Sequence, residues 1–404
     1  MSTTLSGPLA GLTIVELAHI MAGPVCGRML ADMGAAVIKV ERVPDGDTVR
    51  GFLPPDIDGE PAAFMMMNRN KRGIAVNLKA PEGKEILRRM LSTADVVIEN
   101  YRKGTMERLG LGYDELRQDN PGLIYCEISG FGRTGPYAKL GGFDLVAQGM
   151  SGLMSITGEG PDRPPVKCGP PVTDITAGIL ATMGVLAAFV ERQKTGKGQR
   201  VDTSLFEAGI TQTFWQSAIA LATGESPSPM GSAHPLNAPY EAFQTSDGWL
   251  TLGASSQTTW LRLPEVLGCP DLLDDPRFRR NEDRMAHRAE LAEALAAAFI
   301  QRTTEDWLER LEAAGVPAGP VLSVGEMLEH PQAIAREMVV ETAHRRLGSV
   351  KTIGFPVKFS DTPASIKYGA PVLGQDTTEI LCELGYADTD IDRLVADNVI
   401  IRPE

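Results

Sequence analysis

Residues 12–42 read LTIVELAHIMAGPVCGRMLADMGAAVIKVER. The apolar run Leu12 to Leu17 predicts a buried strand, Gly23-Pro24 opens a helix that continues through Met33-Gly34, and Ala36 to Val40 predicts a second strand ending at Glu41-Arg42. That is a βαβ unit, and the pattern recurs. PEGKEILRRMLS (81–92) predicts a helix, DVVIE (95–99) a strand, Tyr113 to Gln118 a helix and GLIYCEIS (122–129) a strand. An apolar helix over Ile175 to Arg192, the turn Thr195-Gly-Lys-Gly-Gln and a strand over Gln199 to Ser204 continue it. Such alternation predicts an α/β fold with a parallel sheet and helices on both faces.

Beyond Thr223 the character changes: GESPSPMGSAHPLNAPY is rich in Pro, Ser and Gly and reads as a long connection. Tyr240 to Thr245 and Trp249 to Gly253 then predict two strands joined by Ser246-Asp247-Gly248, with helices through about Ala314. From Gly315 the chain returns to turn-rich, strand-like sequence and ends in a helical tail over Thr377 to Leu384. The expected division is a large domain over 1–205 completed by 330–404, a linker over 206–235 and a smaller α+β domain over 236–329. A chain of 404 residues with 43% hydrophobic content supplies enough apolar surface for two cores. Its 42 Gly and 28 Pro are spread along the chain, as many tight turns require, and no low-complexity tract or internal repeat is present.

The net charge of −13 disfavours nucleic acid as a partner. The balance is uneven: residues 1–110 hold 14 Lys and Arg against 13 Asp and Glu, leaving 25 against 39 for the rest. An anionic ligand would therefore prefer the N-terminal part, although a generic acidic surface with an average N-terminal region accounts for the same count. The start lacks basic residues before its apolar stretch, and no window offers the roughly 18 uninterrupted apolar residues of a membrane span. Ile175 to Val190 comes nearest, but Thr176, Thr182 and two glycines interrupt it, and it reads as a buried helix. Cysteines at 26, 126, 168, 269 and 382 form no CxxC pair and are odd in number, so neither zinc nor a disulfide framework is expected and a cytoplasmic location is.

A βαβ unit whose second strand ends in Glu41 invites a dinucleotide. The first turn argues against NAD or FAD: a pyrophosphate needs G-x-G-x-x-G there, and the chain has Ala18-His-Ile-Met-Ala-Gly-Pro with one glycine. The region instead carries cations at predicted strand ends and loops: Arg42, Arg50, the Asn70-Lys71-Arg72 cluster, and Arg102, Lys103 and Arg108 beyond Asn100. Coenzyme A, a phosphorylated adenosine with a pyrophosphate, needs scattered partners of this kind. Each cation alone reads equally well as a solvated surface residue; their shared placement is what counts.

With these residues in view, the sequence resembles the family III CoA-transferases, the group of formyl-CoA:oxalate and carnitine CoA-transferases. The likeness runs from Pro8-Leu-Ala-Gly-Leu to Leu373-Gly-Gln-Asp-Thr, through Ala22-Gly-Pro, Gly34-Ala-Ala-Val-Ile-Lys-Val-Glu-Arg, Gly46-Asp, Asn68-Arg-Asn-Lys-Arg, Val97-Ile-Glu-Asn-Tyr, Gly130-Phe-Gly-Arg-Thr-Gly-Pro-Tyr and Thr195-Gly-Lys-Gly-Gln. The resemblance implies a Rossmann-like large domain, a small domain, and a homodimer whose subunits interlock like rings of a chain. It implies that Arg42, Lys71, Asn100, Tyr101, Arg108 and Lys139 lie along the CoA site and that His19 and Ile20 form the turn beside the thioester. Met21 replaces a polar residue that the formyl-CoA enzyme uses for its small acid, which counts against oxalate.

In Cys168-Gly-Pro-Pro-Val-Thr-Asp-Ile-Thr-Ala-Gly, Asp174 stands at the entry to the apolar helix, and local sequence alone reads Thr173 or Asp174 as its N-cap. The resemblance makes Asp174 the nucleophile that attacks the acyl-CoA carbonyl. A carboxylate can do so because the resulting mixed anhydride stays reactive toward CoA thiolate, giving an aspartyl-CoA thioester that an acceptor acid then attacks. The route uses acyl-CoA and a carboxylic acid as substrates and needs no metal or other cofactor, but it must exclude water. In the formyl-CoA enzyme a glycine-rich loop does the shielding; the matching Gly253-Ala-Ser-Ser-Gln257 has one glycine and reads equally as a strand-end turn. An alternative is a 2-methylacyl-CoA racemase, which resembles the same fold but needs a proton-carrying His where this chain has Phe143, just before Asp144. His234 is the other histidine to consider. A non-enzymatic CoA-binding protein is a third reading, one that leaves the Asp174 region without purpose. Gly231-Ser-Ala-His, Pro239-Tyr-Glu-Ala-Phe and Asp247-Gly-Trp look most like the branch that takes CoA from succinyl-CoA to a dicarboxylate, whose distal carboxylate could meet Arg69, Arg133 or Arg163, with carnitine-type and aromatic acids as the other substrate readings.

Overall fold

A parallel sheet needs cover on both faces, and six short strands form one here. Thr13–Glu16 (β1), Ala36–Glu41 (β2), Lys71–Val76 (β3), Val96–Glu99 (β4), Ile124–Ser129 (β5) and Arg200–Ser204 (β6) lie in the order β3-β2-β1-β4-β5-β6, all parallel. Ile400–Ile401 (β7) adds antiparallel to β3 at the edge. The computed structural model describes residues 6–403, which divide into two units. The sheet unit comprises the chain through Ser151, Gly169–Gln212 and everything from Pro331; the other comprises Gly152–Cys168 and Thr213–His330.

Side chains alternate across the sheet, so each strand feeds two cores. Ile14, Val96, Ile98 and Cys126 point to one side, where Ala22–Asp32 (α1) and the long helix Val172–Thr195 (α7) cover them. Val15, Leu17, Val97 and Tyr125 point to the other, beneath Pro81–Thr93 (α3) and the C-terminal helices. Between these elements lie Ala62–Asn68 (α2), Thr105–Leu109 (α4), Tyr113–Asp119 (α5) and Asp144–Met150 (α6), and Leu205–Thr211 (α8) follows β6. By length and composition α7 could cross a membrane. One side of it, with Ala177, Ala181, Val185 and Ala188, is buried against α1 and the sheet, while Ile179, Met183 and Val190 are exposed.

Two glycines set how closely these layers meet. A Cβ on Gly27 of α1 would lie 1.8 Å from Oε2 of Glu16, and one on Gly178 of α7 would lie 2.7 Å from the Ala22 carbonyl. The first leaves room for a charge inside the core: Glu16 is wholly buried and pairs with Lys39 at 3.1 Å and Lys71 at 2.7 Å. Lys39 also pairs with Asp47 at 2.9 Å and donates to the Ala18 carbonyl at 2.9 Å. Burial opposes the charge on Lys39, but Glu16 and Asp47 outweigh it and hold the ammonium well above its usual range. Lys71, buried with one carboxylate to share, is pushed down to about 8.

The second unit pairs Tyr240–Gln244, Trp249–Gly253 and Ala318–Pro320 as an antiparallel sheet. Its helices cover Phe243, Leu250, Trp260, Phe299 and Trp307, the last donating its indole N–H to the Phe299 carbonyl at 2.7 Å.

The α/β class and parallel sheet are as expected; three details differ. Lys71, expected in a loop, starts a strand between β2 and the short edge strand β7, because the short run Gly-Ile-Ala-Val after two cations is enough apolar length when both faces are covered. Of the expected linker 206–235, residues through Thr223 are helical, in α8 and Phe214–Thr223. Beyond the tail helix a further helix, Asp388–Ala396, returns the chain to the sheet edge.

Removing one partner from a buried ion cluster strands the others. Glu16→Ala, which leaves Lys39 with Asp47 alone and Lys71 with no carboxylate, is expected to cost about 3–5 kcal/mol in a urea titration.

Candidate active site

Ligands of open α/β sheets gather beyond the carboxyl ends of the strands, and the turn from β1 into α1 lies there. Ile20, a β-branched residue, takes φ +66° in this turn. Such a conformation costs roughly 1–3 kcal/mol and persists only where the surroundings impose it. They do: the Ile20 N–H donates to both oxygens of Asp47, at 3.1 and 3.3 Å. One residue earlier, the His19 N–H donates to Asn100 Oδ1 at 2.8 Å while Asn100 Nδ2 donates back to the His19 carbonyl at 2.7 Å. Burial would raise the Asp47 carboxyl, but Lys39 brings it down to about 2. His19 Nδ1 is buried without a hydrogen bond among the described residues, 4.0 Å from Asp47. Burial first, and Lys39 second, hold its pKa below the usual imidazole value. The Tyr101 ring stands 5.3 Å away, its hydroxyl pushed up to about 12 by burial.

His19, Ile20, Met21, Asn100, Tyr101 and Phe143 share a cavity of about 220 Å³ with Asp174. Asp174 is the third residue of α7, and among the described residues its carboxylate accepts no hydrogen bond. Burial, with Asp144 as a second cause, pushes its carboxyl up to about 7. Asp144 also does the capping that local sequence assigned to Thr173 or Asp174: Oδ1 accepts from the Thr173 N–H at 3.0 Å and its hydroxyl at 2.7 Å. Gln148, one turn along α6, holds the other oxygen of Asp144 at 2.7 Å. Asp174 is thereby left free of a structural task.

The remaining predicted residues divide. Arg42 is exposed just beyond β2 and acts on His19 and Tyr101 through its charge. Arg108 is exposed and donates to Thr105 Oγ1 at 3.0 Å, and Lys139 is exposed between Ala138 and Leu140, two residues of the cavity wall. Lys71 does not reach the cavity: its ammonium is buried on Glu16, Asn68 and the Pro24 carbonyl, so its expected place along a CoA site is corrected to a core ion pair. Arg50 donates two hydrogen bonds to the Glu41 carboxylate over the Phe64 ring, and Arg72 pairs with Glu383. Of the cations considered for a distal carboxylate, Arg69 is buried on Asp32 and Arg133 on Glu99 and Glu127. Arg163 is exposed beside Glu159 in the other unit. His234, in that same unit, packs between Trp215 and Tyr240. Gly253 ends a strand, and Ser256 caps the helix Gln257–Trp260, so Gly253–Gln257 is a strand-end turn.

The family model described as CoA-transferase family III matches residues 9–377. The succinate–glutarate CoA-transferase of Agrobacterium fabrum is 40% identical over 383 residues, 93% of this chain and 96% of that protein. The succinyl-CoA:mesaconate CoA-transferase of Haloarcula marismortui is 38% identical over 404 residues, covering 97% of this chain and 100% of that one. Among solved structures, a CaiB/BaiF family protein from Brucella suis matches with a TM-score of 0.84 and 40% identity, over 94% of this chain and 100% of that one.

The raised Asp174 carboxyl makes a signed prediction. Its folded pKa of about 7 lies above the ordinary 3.8, so the acid form is favoured by folding and stability is lost as pH rises from about 4 to 7. Asp174→Asn is expected to melt higher than wild type at pH 8 and at the same temperature near pH 4, measured by thermal unfolding across pH.

Proposed function

This chain belongs to CoA-transferase family III, and from that premise we propose that it moves coenzyme A from succinyl-CoA to a dicarboxylic acid, with Asp174 as the covalent carboxylate. One observation carries the role of Asp174: a carboxylate without a hydrogen bond among the described residues, held near pKa 7, in the cavity that contains the His19–Ile20 turn. The two named relatives support the substrate class, since both names join a succinate or succinyl-CoA to a dicarboxylate.

The carboxylate of Asp174 adds to the succinyl-CoA carbonyl and expels CoA thiolate, leaving an aspartyl–succinyl anhydride. The thiolate adds to the aspartyl carbonyl; succinate departs with the bridging oxygen, and an aspartyl-CoA thioester remains. The acceptor carboxylate attacks that thioester, expels the thiolate again and forms a second anhydride. The thiolate then takes the acceptor acyl group and returns Asp174 with one oxygen that came from the acceptor. Each step is addition to a carbonyl and elimination from it, and proton inventory is unchanged. A carboxylate of pKa about 7 is a stronger nucleophile than a solvated one, and part of it remains ionised at neutral pH. The α1 N-terminus opens at Ala22 on the cavity wall, where helix amides suit developing oxyanions. Met21, Leu140 and Phe143 line the same wall with apolar surface, which discourages water.

Along the CoA we place His19, Ile20, Arg42, Asn100, Tyr101, Arg108 and Lys139, and we leave Lys71 out. Phe143, 67% exposed on the cavity, offers no proton carrier, which counts against the racemase. The two units are taken as the large CoA-binding domain and the small domain. A reducing, cytoplasmic setting suits five cysteines that form no disulfide among the described residues. An interlocked homodimer would cover apolar surface that one chain leaves bare: Met183 of α7 is 61% exposed, and Phe214–Thr223 buries no residue, with Leu221 88% exposed.

Incubation with succinyl-CoA followed by hydroxylamine or borohydride is expected to change the mass of the peptide containing Asp174, and Asp174→Ala should lose at least about a thousandfold in transfer. An unmodified peptide together with an active Asp174→Ala enzyme would reject the mechanism. Light scattering should return twice the chain mass of 43.4 kDa; a monomer at micromolar concentration would reject the dimer.

A further inference from the structure

We infer that Arg133 is a positioning residue for the acyl-CoA side of the cavity: its guanidinium fastens the Asn100–Tyr101 segment to the ends of the neighbouring strands. This rests on reading the cavity as an acyl-CoA site. Arg133 lines the cavity yet is nearly buried. One face of the guanidinium grips Glu99 at the end of β4, and Nε lies 3.1 Å from Glu127 of β5. Nη1 donates to the Tyr101 carbonyl at 3.0 Å. The Arg133 backbone is tied as firmly, its N–H to Asp202 of β6 at 3.0 Å and its carbonyl to the Lys103 ammonium.

These contacts pin Tyr101 from both ends, because its N–H donates to Glu99 Oε2 at 2.6 Å while its carbonyl receives Arg133. The residue before it, Asn100, clamps the His19 backbone by two hydrogen bonds. A displacement at Tyr101 is thus passed to Asn100 and on to the turn that faces Asp174. Only a planar fork of donors bonds Glu99 and the Tyr101 carbonyl together while holding its charge beside Glu127; an ammonium is a single point on a flexible stem, and glutamine is too short and uncharged. The residue does not meet the reacting atoms in this arrangement, so its effect is on where the wall stands.

Three variants separate this role from plain stability, read by CoA titration calorimetry, steady-state kinetics and thermal melting. Arg133→Met should raise the CoA Kd and the KM for succinyl-CoA about tenfold, leave the KM for the acceptor acid within twofold, and lower the Tm, since Glu99 is then buried unpaired. Adding Glu99→Gln replaces the carboxyl left without its guanidinium and keeps an acceptor for the Tyr101 N–H. The double variant should recover Tm but not CoA affinity, because the Tyr101 carbonyl still lacks its donor. Arg133→Lys should fall between. Recovery of CoA affinity in step with Tm, or a folded Arg133→Met that binds CoA within twofold of wild type, would overturn the proposal alone. Wild type and Asp174→Asn that both fail to bind CoA would overturn the functional reading and the proposal with it.

Discussion

The ammonium of Lys39, buried near the carboxyl end of β2, holds Glu16 at 3.1 Å and Asp47 at 2.9 Å, and the geometry of the cavity follows from that pairing. Without a cation there, two carboxylates could not both stay ionised in an apolar core. With it, Asp47 stays a strong acceptor and draws the Ile20 N–H toward itself, imposing the left-handed turn that a β-branched residue avoids. Gly27 belongs to the same constraint, since any side chain at that position would occupy the space of Glu16. The strain at Ile20 is thus supported by a charged core rather than by the turn's own sequence.

The two aspartates of this region are driven apart in pKa by their surroundings. Asp47, bonded to Lys39 and to backbone amides, is held at about 2 and serves structure. Asp174, half-buried, with no donor among the described residues and with Asp144 nearby, is pushed up to about 7. Opposed shifts of this kind separate a permanent charge from a group free to react. Asp144 makes the separation possible by taking over the helix cap, so that Asp174 stays in the first turn of α7 without being consumed by it.

Much of this was legible beforehand. The βαβ rhythm of residues 12–42, the strands near 96–99 and 124–129 and the long helix after Asp174 are written in apolar periodicity, and the sheet follows them. β3 was not, because Lys71 and Arg72 look like surface cations until Glu16 is seen to neutralise the first from a strand two positions away in the sheet. The cap exchange between Asp144 and Thr173 spans 29 residues, and no local motif encodes it. A signal for the charged core was nonetheless present: Glu16 and Lys39 interrupt strands that are otherwise apolar, and a charge in such a place needs a partner. Arg133 was noticed as a cation for the substrate, whereas its carboxylate partners lie on β4 and β5.

The path of oxygen tests the central claim most directly. When the acceptor acid is labelled with 18O in its carboxylates and the enzyme turns over with succinyl-CoA, the mechanism leaves one labelled oxygen on Asp174 after each transfer and hands it to the succinate released in a later one. Mass spectrometry of the Asp174 peptide should therefore show 18O in the side chain. Label passing into succinate while the Asp174 peptide stays unlabelled would mean that the two acids exchange directly, and would contradict the account.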